Sequence, residues 1–380
     1  MFSRRLNWET SGNQLSLLLK SKRAAGAQIV DLTESNPTQV GVMASPLAVL
    51  DALGDPSSLV DEPNPAGLIE ARRAVAGYYQ AQGAKVEPEQ ILLTASTSEA
   101  YSFLFKLLAD PGEELLAPRP SYPLFDHLAA LDSICLAYYP LRYQEGWWMD
   151  LDALEQQITV RTRAVIVVHP NNPTGSFLKR AELKRLEQIC LRHKLALISD
   201  EVFADYELCP DAERFTTVAS ASEAMAFSLS GLSKLIGLPQ MKLGWIVCNE
   251  PEAIRRLEWI ADTYLSVSAP VQHATAKWLE LRSAFQQELK RRLRVNLDCV
   301  SSNMDTLRVE GGWSAIVRLP GLRADEQWAL DLLNEADVLV QPGYFYDFEQ
   351  ESLVVVSLLT APELLQEGIR RMKEFTDGVV

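Results

Sequence analysis

A lysine, an aspartate, a pair of asparagines and a run of small hydroxyl residues stand in this sequence where folded chains do chemistry. Lys234 lies in Ser228-Leu229-Ser230-Gly231-Leu232-Ser233-Lys234-Leu235-Ile236-Gly237-Leu238, among hydroxyls and glycines and between apolar flanks. A lysine desolvated in such a setting holds its proton less tightly and can act as a Schiff-base nucleophile; a solvated lysine would do neither. Asp200 closes the apolar run Leu195–Ser199. An acid there is costly to bury unless it faces a positive partner, such as a protonated ring nitrogen; capping a helix is the other use. Asn172, in His169-Pro170-Asn171-Asn172-Pro173-Thr174-Gly175, can aim an amide N–H₂ at a ligand oxygen or close a local Asx turn. Tyr122 is held between prolines in Pro118-Arg119-Pro120-Ser121-Tyr122-Pro123, ready to stack on a flat ring or to pack in a core. Thr97 and Ser98 follow the run Ile91–Thr94 and open a helix, which suits a phosphate dianion as well as a plain N-cap.

Something must hold these residues together, and the apolar pattern indicates what. Short apolar runs (Ile91–Thr94, Glu114–Ala117, Ala164–Val168, Leu195–Ser199, Ala226–Leu229, Leu243–Cys248) alternate with helical stretches such as Glu99–Leu108 and Ala181–His193. Continuous apolar strands separated by helices predict an α/β fold with a mostly parallel sheet covered on both faces. Ligands of such sheets bind beyond the carboxyl ends of the strands, which is where every residue named above falls. From about Ala269 the pattern changes to a long charged helical stretch, Thr275–Leu307. Strands at Trp313–Leu319 and Leu353–Leu358 then flank a helix at Glu326–Ala336. This predicts a smaller α+β domain formed by residues 1–45 and 285–380, beside a large domain over 46–284.

Tyr122, Asn172, Asp200, Lys234 and Lys242 follow one another at gaps of 50, 28, 34 and 8 residues. With the strings Asn171-Asn172-Pro173-Thr174-Gly175, Ser199-Asp200-Glu201 and Ser230–Lys234, this order resembles the class I/II aminotransferases. They form the aspartate aminotransferase superfamily of fold-type I enzymes that use pyridoxal 5′-phosphate (PLP). The resemblance runs from Asp31-Leu32-Thr33-Glu34-Ser35-Asn36-Pro37 to Pro342-Gly343-Tyr344-Phe345. It implies that Lys234 carries the cofactor as an aldimine and moves the proton between Cα and C4′. It further implies that Asp200 pairs with the pyridine nitrogen, Asn172 bonds the ring oxygen and Tyr122 stacks on the ring. Thr97, Ser98, Ser233 and Lys242 would hold the phosphate. The substrates implied are an amino acid and a 2-oxo acid, in a homodimer with active sites at the subunit interface.

Several positions depart from that resemblance. Phe203 stands where the family has a tyrosine, Gly231 where it has a serine, and Lys242 where it has an arginine, which loses the fork geometry. Asp61 stands for a tyrosine that reaches the partner's phosphate. Val355 occupies the place of the arginine that clamps the substrate carboxylate. Lys242, Arg318 or an N-terminal arginine are candidate substitutes. These departures keep two other readings open: a PLP-dependent lyase or decarboxylase with an atypical substrate, and a PLP-binding protein of low turnover.

Composition narrows the remaining classes. The chain has 380 residues, 47% of them hydrophobic, which is long enough for two domains. A formal net charge of −14 argues against nucleic acid and anionic membranes as partners. The basic cluster Lys290, Arg291, Arg292 and Arg294 reads as a solvated helix face. Five scattered cysteines without a CxxC fit a reducing compartment and no metal site. The start MFSRRLNWET lacks a signal-peptide core, and no apolar run reaches the ~18 residues of a membrane span, so a cytoplasmic location is expected. Tryptophans such as Trp147, Trp148 and Trp313 read as packing residues, while Tyr344 and Tyr346 are placed near the substrate side by the resemblance.

Overall fold

The computed structural model describes residues 2–6, 8, 11–219 and 222–379. Its strands are β1 (Val30–Asp31), β2 (Ile91–Thr94), β3 (Glu114–Arg119), β4 (Cys135–Tyr143), β5 (Trp147–Met149), β6 (Thr162–Val168) and β7 (Ala196–Asp200). They continue with β8 (Ala226–Gly231), β9 (Gly244–Cys248), β10 (Ser314–Arg318), β11 (Val338–Leu339), β12 (Gln341–Pro342) and β13 (Leu353–Ser357). Eight of them form one sheet in the order β2-β9-β8-β7-β6-β3-β4-β5. Its central strands are buried on both faces because side chains alternate between two cores. Ala164 and Ile166 of β6 pack in one cluster with Phe103 and Leu104, while Val165 and Val167 pack in the other with Leu186 and Ile189. Helices Thr97–Leu108 and Arg180–His193 supply those partners.

The sheet is mixed rather than uniformly parallel. Pairs β3–β4, β3–β6, β6–β7 and β7–β8 are parallel, whereas β9 runs antiparallel to both β8 and β2, and β5 to β4. The reason lies in the connection 232–243, which is used up by the single turn Leu232–Leu235 and the 3₁₀ turn Pro239–Met241. A parallel return is usually made through a full crossover helix, and this connection holds only two short turns. The reversal has a consequence for function: Gly244, at the start of β9, pairs with Gly231 at the end of β8 and with Thr94 at the end of β2. Three strand termini therefore meet at one point.

The second half of the chain builds a smaller antiparallel sheet, β10-β13-β12, and the pair β1–β11 ties the N-terminal segment to it. The long charged stretch resolves into two helices, Ala269–Glu280 and Arg282–Asn303, joined at Leu281. Its basic cluster is only partly solvated: Arg291 pairs with Glu288 at 2.7 Å, but Arg292 turns inward and donates to the Leu359 carbonyl at 3.2 Å. Among the described residues no helix is long and apolar enough to cross a membrane.

Candidate active site

A cavity of about 270 Å³ opens beyond the carboxyl ends of β6, β7 and β8, between the large sheet and the β10-β13-β12 wall. Thr97, Ser98, Tyr122, Asn172, Asp200, Ser233 and Lys234 all line it. Lys242 does not. It sits in the left-handed region at φ 53° just before β9, and its side chain is exposed. Asp61 lies elsewhere, in a larger open cleft of about 670 Å³ with Glu62 and His273. Tyr346 lines the cavity, whereas Tyr344, two residues earlier, is outside its lining.

Each side chain is held by identifiable neighbours. Helix Thr97–Leu108 starts from Ser96, whose Oγ accepts from the Glu99 N–H at 3.1 Å. The N–H groups of Thr97 and Ser98 have no acceptor among the described residues, as expected in a first helical turn. They point the positive end of the helix at the cavity. Gly244 makes this closeness possible, since a Cβ there would meet the Ser96 carbonyl carbon at 2.9 Å and the Thr97 nitrogen at 3.0 Å. The same crowding explains Gly231. Its Cβ would meet the Leu243 carbonyl oxygen at 2.8 Å, so a serine cannot enter without moving the backbone of β9.

The two asparagines divide the work. Asn171 is buried and locks the turn that carries Tyr122. Its Nδ2 donates to the Pro120 carbonyl at 3.1 Å and to Thr174 Oγ1 at 3.0 Å, and its Oδ1 accepts from Ser121 Oγ at 3.0 Å. Asn172 reaches the cavity, and its amide has no partner among the described residues. Tyr122 stands with its ring edge-on to Phe125, 5.9 Å between centroids, which fixes the plane it offers to a ligand.

Charge is scarce. Among the described residues Asp200 and Lys234 are the cavity's only acid and its only cation. Burial pushes the Asp200 carboxyl up to about 6, against the opposing pull of the Val202 N–H at 3.2 Å, the Tyr101 hydroxyl at 3.0 Å and the Lys234 charge. Burial likewise lowers the Lys234 amine to about 8, with Asp200 pulling the other way. The lysine's surroundings explain this. Its Nζ lies 4.9 Å from the Trp313 ring centre and 5.6 Å from that of Phe203, and among the described residues no carboxylate pairs with it. Tyr206, three residues past Phe203, donates to the Lys234 carbonyl at 2.5 Å and so anchors the backbone instead of reaching the cavity.

The mature site includes residues that local reading passes over. Tyr101 sits one turn beyond Thr97 on the same helix, so its spacing was a usable signal. Thr33, Ser35, Gln341 and Ser357 also line the cavity but come from distant segments. Ser357 Oγ donates to the Glu34 carbonyl at 2.5 Å, an arrangement that no local pattern announces.

Residues 27–371 match the family Aminotransferase class I and II. The chain belongs to that family. Members of the family use PLP. Over 255 residues the chain is 31% identical to the glutamate-pyruvate aminotransferase AlaA of Escherichia coli K12, a match spanning 66% of this chain and 63% of that relative. The alanine aminotransferase of Mycobacterium tuberculosis H37Rv is 26% identical over 371 residues, covering 93% of this chain and 86% of the relative. The alanine aminotransferase of Pyrococcus furiosus superposes over 100% of both chains with a TM-score of 0.87 at 24% identity. That class I/II architecture accounts for the eight-stranded sheet and its smaller companion.

The substitutes considered for the missing arginine lie outside the cavity. Val355 is buried in β13 against Trp147, Leu307 and Ile316. Arg318 pairs with Asp305 at 3.2 Å, and Arg5 donates to the Leu131 carbonyl at 3.4 Å.

Proposed function

We propose that this class I/II aminotransferase-family protein binds PLP and moves an amino group between an amino compound and an oxo compound. The observation that carries the reading is the convergence of Lys234, Asp200, Asn172, Tyr122 and the Thr97–Ser98 helix start in one cavity. The donor set fits the group. A helix start with two unpaired N–H groups and the hydroxyls of Thr97, Ser98 and Ser233 suit a phosphate. The buried Asp200 suits a pyridinium N–H, and the free amide of Asn172 suits a phenolic oxygen. When bound, PLP supplies an electron sink for the substrate carbon that carries nitrogen. Lys234, whose amine burial lowers to about 8, would be the residue that holds the cofactor and would move a proton at the substrate carbon. Asp200 would hold the proton of the ring nitrogen, and Tyr122 and Trp313 would exclude water from the sides they cover.

We further propose two domains, 46–284 and a second formed by 1–45 with 285–380, in a homodimer in the cytoplasm. The exposed Leu47, Leu50, Leu59 and Val60 support a subunit interface, and free Cys190 and Cys248 support a reducing compartment. The test is the visible spectrum of protein reconstituted with PLP, with amino donors added one at a time. A band abolished by Lys234→Ala, and converted by a donor with release of an oxo product, is expected. A protein that never takes up PLP would overturn the reading. The lyase reading draws on Phe203 and Val355. It predicts ammonia or CO₂ release without any oxo acceptor, which the same reaction mixtures report.

A further inference from the structure

The end of the cavity away from Thr97 and Ser98 carries a second message, which rests on the transamination reading. Gln341 and Val355 are direct cross-strand partners in the β12–β13 pair, and Ile316 faces Val355 from β10 on the other side. Residues so paired lie on the same face of a sheet. Val355 is buried in an apolar cluster, while Gln341 reaches the cavity beside it. Gln341 is itself oriented: the Tyr346 hydroxyl donates to its Oε1. With the carbonyl oxygen engaged, the amide N–H₂ is the free end, and it has no acceptor among the described residues. The substrate end thus offers an oriented neutral donor, flanked by Tyr346, Phe203, Trp313 and Leu359.

An anion placed there would lack a counter-charge. Lys234 is the only cation in the lining among the described residues, and it is committed to the cofactor. A carboxylate in an apolar pocket without a cation is strongly disfavoured, whereas a neutral carbonyl or hydroxyl oxygen needs only one donor. We infer that the specific amino substrate carries an uncharged oxygen group (amide, ester or hydroxymethyl) where an α-amino acid has its carboxylate, and that Gln341 reads it.

Binding can test this apart from turnover. The probes are 3-phenylpropanamide and 3-phenylpropanoate, which share a shape, lack an amine and cannot react; their affinities for the PLP-loaded protein are measured by calorimetry. The amide is expected to bind at least about tenfold more tightly, the scale of one well-placed hydrogen bond gained and one unpaired charge avoided. Gln341→Leu should weaken amide binding and so narrow that preference, the charge penalty on the acid remaining. Gln341→Arg, at a partly exposed position that tolerates a longer side chain, should invert it. Acid binding as tight as the amide in the unmodified protein overturns the inference and means that a cation outside the lining reaches the site. The transamination reading fails separately, if phenylalaninamide and phenylalanine both leave the visible band unchanged. The amide–acid ratio of the inert probes still decides the inference in that case.

Discussion

Asp200 and Glu201 are neighbours in the chain, and both are buried, yet they belong to different regions. Glu201 faces the packed interior, where Ser199, Thr217, Ser228 and the Val218 N–H all donate to it at 2.6–3.0 Å. Asp200 faces the cavity with two donors and no cation in contact. The lysines repeat the contrast. Burial alone would lower Lys179, but Asp211 at 2.8 Å and Glu310 at 2.7 Å raise it above its ordinary value. Lys234, more deeply buried and with no such pair among the described residues, falls to about 8. Burial raises the Glu201 carboxyl as it does Asp200, but in the interior four donors oppose that cost, while the cavity leaves its charges short of partners that a ligand can supply. This is the pattern expected of a site built to bind and activate rather than to stabilise.

Perturbing each side of the contrast should give effects of different kind and sign. The largest concerns Lys234→Ala, which should lower turnover by a factor on the order of 10³ or more while leaving the melting temperature unchanged or raised. Steady-state rates and thermal unfolding check both halves. Glu201→Ala should do the opposite, costing about 3 kcal/mol because four donors are left unpaired in the interior; thermal unfolding reports it.

Asp200→Asn should stabilise the cofactor-free protein at pH 8 by roughly 1–3 kcal/mol and have little effect at pH 4. The folded-state pKa is raised from 3.8 to about 6. The stability belonging to the protonated form is therefore present below 3.8 and lost as pH rises through about 6. Above that, the ionised carboxylate carries a burial cost that asparagine lacks, at about 1.4 kcal/mol per pKa unit. A melting temperature that falls at pH 8 would mean that Asp200 is already satisfied, as Glu201 is.

Gly231→Ser installs the residue that the family resemblance implies, yet it should destabilise by roughly 1–2 kcal/mol because its Cβ meets the Leu243 carbonyl oxygen at 2.8 Å. The smallest effect is a titration. The rate at which Lys234 takes up PLP should rise with pH and level off above about 8, because the lowered pKa leaves the amine neutral there. Asp200→Asn removes the charge that holds this pKa up, so the rising limb should move to lower pH.

Much of this architecture is written locally. The buried strands are continuous apolar runs because both faces are covered, and the residues just past them, Asn172, Asp200 and Lys234, carry polar chemistry in an apolar context that periodicity alone exposes. Thr97 and Ser98 are legible for the same reason, since a helix start has its own vocabulary. Other features resist such reading. The antiparallel insertion of β9 goes with a connection that holds two short turns and no crossover helix, which looks in the sequence like any other break between strands. The exposure of Lys242 follows from that turn. Gln341 and Val355 are fourteen residues apart in the chain and meet only through β-sheet register, and Thr33 and Ser35 join them from the far end.

The sequence by itself therefore determined the α/β class, the ordered constellation around Lys234 and the loss of an arginine at Val355. The first two are properties of residue type, spacing and periodicity, which a chain carries before it folds; the third follows from the resemblance to the class I/II aminotransferases. Only the tertiary structure decided that Asn171 is scaffold while Asn172 faces the cavity, that Gly231 is fixed by the approach of β9, and that a neutral amide stands at the substrate end. Those depend on which backbones come within about 3 Å of each other, and contacts between distant segments set that distance.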